Sequence, residues 1–111
     1  MSQSTNDVIP TAGKITVLKL LPQTIKELEK LEKAMKEKEA GFDDILKMGR
    51  TQLQDAVPMR LGQSFGAFAH VLKRDIKRLK NVMDEMKVLN IGATAIGTAI
   101  NVDPYYLANI S

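Results

Sequence analysis

The chain has 111 residues, no cysteine, one histidine, and 16 basic against 13 acidic side chains for a formal net charge of +3. That length sets one domain or less, the missing cysteines exclude disulfides and thiolate metal sites, and a single histidine argues against a multi-histidine metal centre. The mixed charges are not a polybasic tail, no apolar run approaches the ~20 residues of a bilayer span, and the polar opening "MSQSTNDVIP" is no signal peptide, so a cytoplasmic protein without cofactor, metal or membrane partner is expected.

Residues 8–40 read as one long helix. Leu18, Leu21, Ile25, Leu28, Leu31 and Met35 recur every three or four positions, which is one helical face. Lys26, Glu27, Glu29, Lys30, Lys33, Lys36 and Glu37 cover the others. Asn6 and Asp7 are candidate N-caps, and Pro10 falls in the first turn, where its missing N–H is harmless. Pro22 stands inside the helix and removes one hydrogen bond, so a kink is expected near Leu18–Pro22. Gly41 ends the helix.

Residues 41–59 read as the connection. The stretch "GRTQLQDAVPMRLGQ" (49–63) is a loop unusually rich in uncharged hydrogen-bonding side chains: Thr51, Gln52, Gln54 and Gln63. A second helix follows over about 60–91, with Phe65, Phe68, Leu72, Ile76, Leu79, Met83 and Met86 on one face. Ala67, Val71 and Val82 make this stripe wider than a two-helix seam needs. Gly92 stops it. The loop 92–103 contains the small, polar "GATAIGTAIN", and Asp103 with Pro104 starts a further helix over 104–111.

A helix of ~30 residues is ~45 Å long, whereas a compact domain of this size has a radius of gyration near ~13 Å. The expected fold is therefore all-α, a long-helix hairpin that packs against helices it does not contain. It is either a fragment of a larger bundle or one part of an oligomer.

Three blocks carry a resemblance: "MSQSTND…PTA", "KMGRTQLQDAVPMRLGQ" and "GATAIGTAIN", in this order and at this separation. They resemble the aspartase/fumarase superfamily over essentially the whole chain. The middle block is most similar to the aspartate ammonia-lyase branch. Fumarases usually have histidine where this chain has Gln52, a position that some aspartases also fill with histidine. The resemblance implies a central domain of very long helices, a homotetramer, and active sites built from three subunits. It places this chain as the first two long helices of that central bundle and their connection. It implies L-aspartate and fumarate as the ligands. The family's loop Gly-Ser-Ser-x-Met-Pro-x-Lys-x-Asn-Pro, which supplies the serine base, does not occur in this sequence. The chain is thus expected to hold substrate-binding but no catalytic residues, as a piece of an enzyme inactive by itself, with Met1 an internal methionine. A fumarase fragment, or a non-catalytic helical oligomerisation module, stands as the alternative.

The family reaction removes a proton from C3 of the amino acid, forms an aci-carboxylate and expels ammonia. The developing charge must be met by preorganised donors, and uncharged ones can surround a dianion closely. Thr51 and Gln52 match lining positions of the family. Ser4, Thr5 and Asn6 match a second lining block, and they also sit at a helix start, where free N–H groups favour an anion. Without the resemblance, "STND" is an ordinary helix cap and "TQLQ" a polar loop. Gln54 and Gln63 are read as structural. His70 in "FAHVLK" lies outside every matched block and is read as a surface or subunit-contact histidine. "LKRDIKRLK" is read as a solvated helix face, not a nucleic-acid stripe, because Asp75 interrupts it and no aromatics interleave. "GATAIGT" has no lysine after it, as a phosphate loop needs. In the family this segment passes near the active site, so the resemblance gives Thr94 and Asn101 a supporting place there, and neither is counted among the site residues.

Overall fold

The computed structural model describes residues 3–110. Its elements follow in the order α1 (Thr5–Gly41), β1 (Leu46–Thr51), β2 (Gln54–Arg60), α2 (Leu61–Glu85) and α3 (Pro104–Asn109). Two long helices dominate, as the apolar periodicity predicts. No helix among the described residues is long and apolar enough to cross a membrane. Contacts divide the chain into two compact units. One contains the described residues of 1–22 and 81–111, the other is Gln23–Lys80.

In the Gln23–Lys80 unit the helices run antiparallel. Lys80 Nζ donates to Glu29 Oε1 at 2.6 Å, and Glu39 lies against Gly62 and Gly66. Ile25, Ala69 and Ile76 are buried, and each belongs to the periodic pattern or stands beside it. Phe65 meets Phe42 edge-on with ring centroids 5.4 Å apart. Phe68 is nevertheless 56% exposed, and Leu31 and Val71 are exposed too. The stripes are indeed wider than the seam they close.

The connection is not the irregular loop expected. Leu46–Thr51 and Gln54–Arg60 pair as an antiparallel hairpin, with Leu46 opposite Arg60 and Thr51 opposite Gln54. The register shifts between Met48 and Arg50, so one extra residue of β2 bulges there. Gly49 sits at that bulge. A Cβ on it would stand 2.8 Å from the Val57 carbonyl oxygen, which only glycine permits without moving a backbone. Pro58 is tolerated in β2 because a two-stranded ribbon consists of edges. The hairpin's base is tied to the helices by Leu61 N–H to Ile45 O at 2.8 Å and Gly62 N–H to Phe42 O at 2.9 Å. An Arg60–Asp43 ion pair at 3.0 Å adds to this. Gln63 Oε1 accepts the Arg60 N–H at 2.9 Å, the returning half of a capping box at the start of α2. Gln63 is structural, as read.

In the other unit, α1 begins at Thr5 with Ser4 as its cap, not Asn6 or Asp7. Ser4 Oγ accepts the Asn6 N–H at 3.2 Å, and Asp7 Oδ2 accepts the Ser4 N–H at 3.2 Å. Asp7 therefore serves as the reciprocal partner one turn in, and it is 1% exposed. The second helix stops at Glu85, before the expected 91. Bonds from Lys87 N–H to Asp84 O and from Val88 N–H to Glu85 O tighten its last turn. Lys14 Nζ then donates to Val88 O at 2.6 Å and to Asn90 Oδ1 at 2.9 Å, which fixes the chain in a non-helical course. Asp103 caps α3 by accepting the Tyr105 N–H at 2.8 Å, with Pro104 at the first helical position. Ser111, the last residue expected in that helix, lies outside the described residues.

Candidate substrate-binding site

The two sets of expected site residues belong to different units. Thr51 and Gln52 end β1 and open the hairpin turn in the Gln23–Lys80 unit. Gln52 and Leu53 have φ of 48° and 64°. Both are left-handed, the geometry of a tight two-residue hairpin turn that ordinarily takes Asn-Gly. Arg50 Nε donates to Asp55 Oδ1 at 3.0 Å across the strands just below the turn. The Thr51 and Gln52 side chains are exposed and make no hydrogen bond among the described residues. Leu53 beside them is 95% exposed. The hairpin thus presents a hydroxyl and an amide at a short, pinned tip, with every donor and acceptor of those side chains open to a ligand.

Ser4, Thr5 and Asn6 come together at the head of α1. Ser4 O accepts from Asp7 N–H and Val8 N–H at 3.0 and 3.1 Å. The Thr5 N–H, at the first helical position, has no acceptor within the helix, and its side chain is exposed and unbonded. Asn6 Nδ2 donates to Ala95 O at 2.7 Å, which fastens the 92–101 loop to the helix head. Beside it a cavity of about 350 Å³ is lined by Gln3, Ser4, Thr94, Ala95, Ile100 and Asn101. The resemblance gives Thr94 and Asn101 a supporting place near the site, not a place in it. The structure sets both beside Ser4, and the left-handed backbone that does so leaves no periodic trace.

Asp7 limits what the helix head can do unaided. Its carboxyl group stands in the first turn, where it already answers the positive end of the helix dipole. An incoming carboxylate must therefore be held largely by side-chain donors. Among the described residues, no three His, Asp or Glu side chains gather as a metal would require. His70 Nδ1 lies 2.8 Å from Gly66 O in its own helix. In the basic stretch, Arg78 pairs with Asp75 and Lys80 with Glu29, which is a salt-bridged helix face.

The sequence pattern of a family described as lyase matches residues 1–110. The aspartate ammonia-lyase of Bacillus subtilis (strain 168) is 53% identical over 110 residues, 99% of this chain and 23% of that protein. The aspartate ammonia-lyase of Escherichia coli (strain K12) is 46% identical over 104 residues, 94% of this chain and 22% of that protein. Among solved structures, a cobalt-bound fumarate lyase:delta crystallin from Brucella melitensis superposes with a TM-score of 0.83 at 48% identity, covering 96% of this chain and 23% of that one. A class II fumarase from Schistosoma mansoni gives 0.80 at 31% identity, covering 95% and 22%. The chain spans about a quarter of the length of the curated relatives it matches.

Proposed function

Because the chain belongs to the lyase family, we propose that it is the substrate-binding segment of a cytoplasmic aspartate ammonia-lyase, contributing the first two long helices of the central bundle and their connection. The observation that carries this reading is the contrast in identity. Aspartate ammonia-lyases match this chain at about half of all positions, the class II fumarase at 31%. The ligands are L-aspartate and fumarate, and the assembly is a homotetramer whose further helices cover the exposed stripes. Phe68 and Val71, exposed on α2, support such cover.

The chemistry assigned to these residues is binding and charge stabilisation. Thr51 and Gln52 offer a hydroxyl and an amide from the hairpin tip. Ser4, Thr5 and Asn6 offer hydroxyls, an amide and the free first-turn N–H at the helix head. All are uncharged, so they meet a growing carboxylate charge without adding a competing anion. A donor of this kind, aimed at developing charge, contributes about 3–4 kcal/mol to the transition state, or ~10²–10³ in rate. Proton abstraction falls to the serine loop expected of the family, which is not part of this sequence.

The test joins the chain to the remaining segments of the Bacillus subtilis relative and follows the ultraviolet absorbance of fumarate. L-Aspartate is consumed much faster than L-malate, and the 111-residue chain alone turns over neither. Preference for malate would establish the fumarase alternative instead. A folded, assembled hybrid inactive on both would favour a non-catalytic bundle module.

A further inference from the structure

We propose that Thr94 and Asn101 are substrate-binding residues, which close the Ser4 cavity from the loop side and receive one carboxylate of a small dicarboxylate. The proposal rests on the lyase reading and adds a second wall to its site.

The first observation is backbone conformation. Between positions 92 and 101, five residues have positive φ: Gly92 at 87°, Thr94 at 62°, Gly97 at 82°, Ala99 at 57° and Asn101 at 59°. Glycine adopts this region freely and asparagine tolerates it, but a β-branched threonine there is a true outlier. Nothing local compensates Thr94. Its hydroxyl reaches only Ile100 O, at 3.5 Å, which is beyond the usual range of an O–H···O bond. A glycine or asparagine at 94 would build the same loop with less strain, so the hydroxyl is kept for something outside the loop.

The second observation is where the strain leads. Ala99 N–H bonds to Ala93 O at 3.0 Å and Val102 N–H to Ala99 O at 3.2 Å. These bonds fold the loop back so that Thr94 and Asn101, seven residues apart, share one wall of the cavity with Ser4. The Asn101 amide makes no hydrogen bond among the described residues, so both of its donors are available. The bond from Asn6 to Ala95 O keeps that wall in place. The volume of about 350 Å³ is at the small end of ligand cavities, and has room for a four-carbon diacid. Asp7 gives the reason why such donors are needed. With the helix end already facing one carboxyl group, an anion beside Ser4 needs neutral donors from another direction.

The experiment titrates succinate, an unreactive four-carbon diacid, into the complete lyase carrying this segment, alongside initial rates on L-aspartate and thermal melts. Thr94→Gly and Asn101→Gly should each weaken succinate binding roughly tenfold or more, the loss expected for a hydrogen bond to a charged group. Their melting temperatures should hold or rise, because glycine takes this backbone without strain. Thr94→Ser keeps the hydroxyl and should recover most of the affinity. A purely structural loop predicts the reverse pattern. If both glycine variants bind succinate as tightly as the unsubstituted enzyme, and that enzyme turns over aspartate, this proposal is overturned and the lyase reading stands. An unsubstituted enzyme that neither binds succinate nor turns over aspartate overturns both.

Discussion

Two glycines one turn apart on α2 should respond to alanine with opposite sign. A Cβ at Gly62 would run into the Glu39 carbonyl oxygen, and would also stand 3.2 Å from both Cα and N of Asp43. Every one of those atoms is backbone. They sit where α1 ends, and the bonds from Leu61 N–H to Ile45 O and Gly62 N–H to Phe42 O hold them there. The three atoms nearest a Cβ at Gly66 all belong to the carboxyl end of the Glu39 side chain, with Cδ at 2.7 Å, and that end can swing aside. Replacing glycine by alanine within a helix gains about 1 kcal/mol in either case. At Gly66 little opposes this gain, so Gly66→Ala should be neutral or stabilising by up to about 1 kcal/mol. At Gly62 the backbones must part, and overpacking of that kind costs about 1–3 kcal/mol. The contact is severe enough to favour the upper half of that range, leaving Gly62→Ala destabilising by about 1–2 kcal/mol. For a chain of this size that is a fall in melting temperature on the order of 4–16 °C. Helical circular dichroism through a thermal melt, at fixed protein concentration, measures both variants. If Gly62→Ala melts at or above the unsubstituted chain, the close approach of α2 to the end of α1 is wrong.

In the complete lyase, Thr51→Val and Gln52→Leu should each lower kcat/KM by ~10²–10³ with little change in melting temperature, since both side chains are exposed and unbonded; steady-state kinetics with paired melts check this. Variants that melt much lower but turn over normally when folded would make "TQLQ" structural. Thr11 is 3% exposed and its hydroxyl has no partner among the described residues, so Thr11→Val should raise stability by about 1 kcal/mol, the lower end of the cost of a buried unsatisfied group. A loss of stability in denaturant titration would instead reveal a buried water on that hydroxyl. Leu53→Gly should stabilise the hairpin, because Leu53 is 95% exposed and holds a left-handed φ of 64°; slower amide hydrogen exchange across Leu46–Arg60 is the readout, and faster exchange would contradict it.

The long helices were legible because apolar residues such as Leu21, Ile25 and Leu28 keep a helical period that no strand shares. Asp103-Pro104 was legible because its cap chemistry is local. The hairpin was not. Its turn is Gln52-Leu53, which lacks the Asn-Gly signature, and β1 buries only Gly49, so no apolar alternation marks the strand. The cap of α1 was misplaced for a related reason. Asn6 and Asp7 are good cap residues by type, but Asp7 is drawn inward and accepts the Ser4 N–H instead. The early end of α2 depends on Lys14, more than seventy positions away from Val88, and no local pattern reports such a contact. For the site, the lining blocks were visible only through a resemblance. Thr94 and Asn101 are named only as supports of the site, because "GATAIGTAIN" reads as small and polar, while φ, which brings them beside Ser4, cannot be read from residue type.

A crystal structure of the complete lyase with succinate bound tests the central claim most directly. The expected result is carboxylates within ~3 Å, hydrogen-bonding distance, of donors on Thr5 or Asn6 of one subunit and on Thr51 or Gln52 of another. Succinate bound with none of these residues in contact would contradict it.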